Sequence, residues 1–201
     1  MGAPTRWETD TDDGHSQWYI DRFRTMAAEG ADLFGEARLI DAMLPRAARV
    51  LDAGCGPGRL TGYLHARGHD AVGVDADPAL IEAAQVDHPG PTYVVADLAD
   101  LDLAAHGQPE RFQGAVLAGN VLAFVAPGSE GDVLRSVAAH LVPDGFLAVG
   151  FHIARVPLVD FDRHAAEAGL RQEHRFGTWD VRAFDASSDF AVTILRTPPA
   201  P

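Results

Sequence analysis

Between Val50 and Arg59 the chain reads Val-Leu-Asp-Ala-Gly-Cys-Gly-Pro-Gly-Arg, and no other stretch restricts the fold so tightly. Arg49 to Ala53 suit a short buried strand. Three glycines at alternate positions follow, Gly54, Gly56 and Gly58, and then Leu60 to Ala66 carry a helical pattern closed by Gly68. Glycines in such a turn let the backbone bend sharply and approach a ligand with no Cβ in the way. In doubly wound α/β sheets, ligands bind outside the carboxyl ends of the strands. One loop therefore predicts both a fold class and the place of a site.

The chain after this loop repeats the alternation of strand and helix. Apolar runs at Ala71 to Val74, Tyr93 to Ala96, Ala115 to Ala118 and Phe146 to Phe151 read as strands. Pro78 suits the first turn of a helix. Ser129 with Asp132 predicts a capping box for a helix running to Leu141, and Pro143-Asp144-Gly145 a turn. Asp160 to Ala168 form a further helix before Gly169. Strands separated by helices argue for a mainly parallel sheet covered on both faces. Two late strands in succession, Leu170 to Trp179 and Asp189 to Arg196, predict an antiparallel finish. Ahead of the sheet, residues 1–14 lack periodicity and read as a mobile tail. Residues 16–30 and Phe34 to Leu44 read as helices. The expected division is a tail and helical lid over 1–45 and a sheet domain over 46–201.

The glycine spacing bears on the cofactor. A dinucleotide fingerprint, G-x-G-x-x-G, would need glycine where Arg59 stands. The G-x-G-x-G run preceded by Asp52 instead resembles the first motif of class I S-adenosylmethionine (SAM)-dependent methyltransferases, and the resemblance extends over most of the chain. It implies a seven-stranded α/β sheet of order 3-2-1-4-5-7-6, the last strand antiparallel, with helices on both faces. It also implies SAM as cofactor, held by Asp52, Gly54, Cys55, Gly56 and Gly58 around the loop. Asp75 matches the family's ribose-binding carboxylate, with Ala76 beside it. Asp97 and Leu98 match the pair that meets adenine. Asn120 lies where the family contacts the methionine half. An acidic lining at Asp52 suits a cofactor that is cationic at sulfur.

The acceptor has no fixed signature, so it stays open beyond the expectation of a small molecule. Methyl transfer to a hydroxyl or amine can need a base, and His152, just past the fifth strand, is the candidate, with His15 behind it. No sizeable insertion interrupts the sheet domain, so Trp18, Tyr19 and Phe23 of the N-terminal segment are candidates for an aromatic lid, Tyr19 touching the cofactor. Two rival functions remain: a SAM-binding regulatory module without catalysis, and an NAD-dependent oxidoreductase. A formal net charge of −13 opposes binding to phosphate backbones. Cys55 is the sole cysteine, which excludes internal disulfides and a cysteine-cluster metal site. No apolar run is long enough to span a bilayer. A cytoplasmic protein, monomeric or homodimeric, without metal or membrane attachment, is expected.

Overall fold

The computed structural model describes residues 3–200; Met1 and Gly2 of the expected tail, and Pro201, lie outside them. The elements in chain order are α1 (Arg6–Thr9), α2 (His15–Ala28), α3 (Gly35–Met43), β1 (Arg49–Ala53), α4 (Arg59–Ala66), β2 (Asp70–Asp75), α5 (Pro78–Asp87) and β3 (Thr92–Val95). A 3-10 turn at Leu98–Asp100 follows. Then come β4 (Phe112–Leu117), α6 (Val121–Phe124), α7 (Glu130–Ala139), β5 (Leu141–His152), α8 (Leu158–Glu167), β6 (Arg171–Phe176) and β7 (Phe190–Arg196). The seven strands form one sheet of order β3-β2-β1-β4-β5-β7-β6, as the resemblance implied. β7 runs antiparallel to both of its neighbours, and the other pairs are parallel.

Strand alternation explains why both faces are covered. In β1, Val50 joins the core under α3 and α4, whereas Leu51 joins the core under α7 and α8. β5 divides the same way, Phe146 and Ala148 to one side and Leu147 and Val149 to the other. Successive side chains of a strand point to opposite faces, so two apolar layers require helices on both.

Four local expectations are corrected. Residues 1–14 do not stay a plain tail. Thr5 caps α1, with the Glu8 N–H donating to Thr5 Oγ1 and the Thr5 N–H donating to Glu8 Oε2. Ser129 forms no capping box, because its hydroxyl donates backwards to the Ala126 carbonyl and Asp132 pairs with Arg135. Pro143-Asp144-Gly145 does not interrupt the fifth strand. β5 pairs with β4 from Leu141 and again from Phe146, and the intervening residues form a bulge with Asp144 at φ +58°. Backbone bonds from Asp144 to Pro198 and from Thr197 to Gly145 tie down that bulge, so the chain kinks without leaving the sheet. The first late strand ends at Phe176 rather than Trp179, because the Gly177 N–H turns to the Arg182 carbonyl.

Candidate active site at the carboxyl edge of the sheet

The glycine loop sits where β1 ends. Gly54 and Cys55 donate their N–H groups to the Val74 carbonyl at 2.8 and 2.9 Å, which bends the chain across the end of β2. Gly54 has φ +81°, and a Cβ there would lie 2.4 Å from Val121 Cγ2. Only glycine meets both demands. The loop delivers the chain into α4 through Gly58, which has no side chain to cap the helix. The cap comes instead from β1: Asp52 Oδ2 accepts the Thr61 N–H at 3.0 Å and the Thr61 hydroxyl at 2.6 Å. A carboxylate at a helix N-terminus satisfies an orphan donor and meets the positive end of the dipole. Burial pushes the Asp52 carboxyl up to about 6, with the Thr61 hydrogen bonds opposing that rise.

Asp75, at the end of β2, is used differently. Its Oδ2 accepts the Gly56 N–H at 2.9 Å and its Oδ1 the Asp77 N–H at 3.0 Å. Each oxygen thus takes one backbone donor and keeps further acceptor capacity. Burial raises its pKa, opposed by those two N–H groups. Asp77 then caps α5 through the Ala79 N–H at 2.8 Å, with Pro78 in the first turn as the sequence predicted. Asp97 caps the 3-10 turn in the same manner, accepting from the Ala99 N–H at 2.9 Å.

These edges border an open pocket floored by Gly54 and Gly56 and walled by Asp75, Ala76, Asp97 and Leu98. Tyr19 also lines it, so seven of the sequence-derived site residues meet in one place. Cys55 and Gly58 shape the loop from behind; the Cys55 thiol is buried, which pushes its pKa well up. Asp52 faces Thr61 and is not part of the wall, because α4 needs the cap. Asn120 stands at φ +63° and spends its side-chain oxygen on the His152 N–H at 2.8 Å, tying the ends of β4 and β5 together. His152 itself is exposed, its ring edge-on to Phe190 at 5.0 Å, and does not line the cavity.

The roof was only half visible in the sequence. Trp18 is 53% exposed, with Arg22 stacked over it. Phe23 packs on Tyr19 and under Arg59, away from the cavity. The second roof aromatic is Trp7, set edge-on against Tyr19 at 5.4 Å and against Phe124 at 5.5 Å. Phe124 and Val125, after β4, complete that wall. The signal that would have found Trp7 is Thr5-x-x-Glu8, a capping-box pattern inside the stretch read as tail. His15 packs on Trp7 and Trp18 outside the cavity wall. Arg24 is held by Asp87 on the outer face.

The residues present fit SAM on three counts: a glycine floor open to a ligand, a carboxylate at the end of β2 with spare lone pairs, and apolar lining that includes Leu80, Leu98 and Phe124. Comparisons with known proteins agree. A family model described as a methyltransferase domain matches residues 50–145. A trans-aconitate 2-methyltransferase of Methylobacterium radiotolerans is 36% identical over 107 residues, 52% of this chain and 37% of that protein, so this chain spans well under half of that relative's length. CcbJ, a methyltransferase from Streptomyces caelestis, shares the fold at 20% identity, with TM-score 0.71 over 83% of this chain and 90% of that one. A TehB-like SAM-dependent methyltransferase from Corynebacterium glutamicum is 41% identical, with TM-score 0.86 over 93% of this chain and 100% of that one. On that full-length likeness and on the fold and loop described above, the chain belongs to the class I SAM-dependent methyltransferases.

Proposed function

We propose that the protein transfers the methyl group of SAM to a small-molecule acceptor, with Asp75 as the ribose anchor and the N-terminal segment as the lid. The carrying observation is Asp75: two carboxylate oxygens, each fixed by one backbone N–H and each with capacity left for one of two vicinal hydroxyls. Asp97 and Leu98 suit the adenine, Gly54 and Gly56 the methionine half. When bound, SAM supplies an electrophilic methyl on a sulfonium. The chain then has to orient it and keep water away, and orientation alone accounts for much of the acceleration in such reactions.

Among the described residues, the titratable groups on the cavity wall are Tyr19, Asp75 and Asp97. Burial raises the Tyr19 pKa, so its hydroxyl stays protonated at neutral pH. With both carboxylates assigned to the cofactor, the wall holds no free base. This favours an acceptor atom that arrives unprotonated, such as a carboxylate. The printed name of the trans-aconitate relative puts small organic acids first among acceptors to try. The acidic surface favours a small molecule over nucleic acid, and the lone buried thiol is compatible with a cytoplasmic setting, as monomer or homodimer.

The test is incubation with methyl-labelled SAM and a panel of carboxylates, amines, thiols and phenols, reading label transfer and S-adenosylhomocysteine together. The expected result is transfer to a carboxylate, at a rate that does not titrate between pH 6 and 8. S-adenosylhomocysteine binding without transfer to any class would favour a regulatory SAM-binding role.

A further inference from the structure

We propose that Asp77 is a positioning residue that clasps the N-terminal segment shut over the cofactor; this rests on the SAM reading of the cavity. Asp77 follows the ribose anchor by two residues, and its own N–H donates to Asp75 Oδ1 at 3.0 Å. As a helix cap it needs one oxygen, and Oδ1 serves the Ala79 N–H at 2.8 Å. The other oxygen gathers donors from two separate places in the N-terminal segment. Oδ2 accepts the Trp7 indole N–H at 2.9 Å and also the Ser16 hydroxyl. Burial pushes the Asp77 pKa up, but the Ser16, Trp7 and Ala79 hydrogen bonds outweigh it and hold the group ionised at neutral pH. A charged acceptor makes each of those bonds stronger than a neutral one.

The Trp7 ring held by this bond is the one packed on Tyr19 and Phe124 at the roof of the cavity. On the far side, Arg6 bonds Glu130 at 3.0 Å and its N–H reaches the Val125 carbonyl at 3.4 Å. Helix α1 is therefore a strap fastened on both sides of the cavity mouth. One fastening shares a turn with the ribose anchor, so a ligand that orders Asp75 also orders the turn that holds the strap.

Capping and clasping are separable. Asparagine caps a helix about as well as aspartate, so Asp77→Asn keeps α5, but its amide faces the Trp7 N–H with a donor or a neutral acceptor. Calorimetry and stopped-flow with S-adenosylhomocysteine should show about tenfold weaker binding for Asp77→Asn, appearing as faster dissociation. Trp7→Phe should give a similar loss, and the double variant should lose little more than either single one. Without ligand, amide exchange across residues 5–19 should quicken in Asp77→Asn while β1, β2 and β4 stay protected. Wild-type affinity and unchanged exchange in Asp77→Asn would reduce Asp77 to a cap, and additive losses would place Trp7 and Asp77 in separate roles; either overturns the clasp. Failure of the cofactor reading shows separately, as a wild-type protein that does not bind S-adenosylhomocysteine. The ligand-free exchange still judges whether Asp77 holds the strap in that case.

Discussion

β1 carries an aspartate one residue before its end and β2 ends on one, and the two carboxylates have opposite fates. Asp52 is 2% exposed and spends Oδ2 on the Thr61 N–H and hydroxyl of α4. Asp75 lines the cavity and takes backbone donors from Gly56 and Asp77. The difference comes from the helix that follows. α4 starts at a glycine and borrows its cap from the strand, whereas α5 starts at Asp77 and caps itself, which leaves Asp75 free. Position at a strand end therefore does not settle a carboxylate's role; the unmet needs of its neighbours do.

The largest expected effect would break the structural side of this comparison. Asp52 binds its proton more tightly in the folded chain than its ordinary value of 3.8 allows, being pushed up to about 6. Its contribution to stability is therefore full below the unfolded value and is lost as pH rises through the folded one. Two units correspond to about 3 kcal/mol. Urea unfolding of wild type and Asp52→Asn between pH 4 and 7 should diverge by an amount of that order, the variant gaining relative stability as pH rises. Parallel curves would mean that Asp52 is not a buried titrating cap.

A smaller effect sharpens the ligand side. Asp75→Ala should weaken SAM and S-adenosylhomocysteine binding by about tenfold to a hundredfold, because a hydrogen bond to a charged group contributes about 1.5–3 kcal/mol. The unfolding midpoint should move little. Calorimetry beside a thermal melt checks both, and an unfolded variant or an unchanged affinity would each contradict the assignment. The smallest effect is expected at His152, exposed and outside the cavity wall. His152→Ala should leave cofactor affinity within about twofold and stability within about 0.5 kcal/mol. A large loss of affinity would bring that histidine back to the site.

What the sequence revealed follows the same division. Strand β1 was legible to its end residues, because an apolar run met a glycine loop. The sheet order followed from the resemblance. That Asp75, Asp97 and Leu98 would stand along the carboxyl edge of the sheet was legible, because strand ends fix where they lie. The inward turn of Asp52 was not, since it depends on the uncapped start of α4, whose Thr61 donors lie nine residues further on. Asn120 was placed correctly at the end of β4, but its side chain answers a backbone N–H 32 residues away. Trp7 was lost for a related reason: its polar partner lies 70 residues off, and no local periodicity announces so short a helix as α1.

The central claim is that one cavity at the carboxyl edge of the sheet, roofed by the strap and α2, receives the cofactor. Hydrogen exchange of the wild-type protein with and without saturating S-adenosylhomocysteine tests it most directly. Added protection is expected at residues 54–58, 75–79, 97–99 and 119–125, together with residues 5–19 of the roof, and unchanged exchange in α8 and β6. Binding that leaves the glycine loop and the strap unprotected, or that protects a different face, would contradict it.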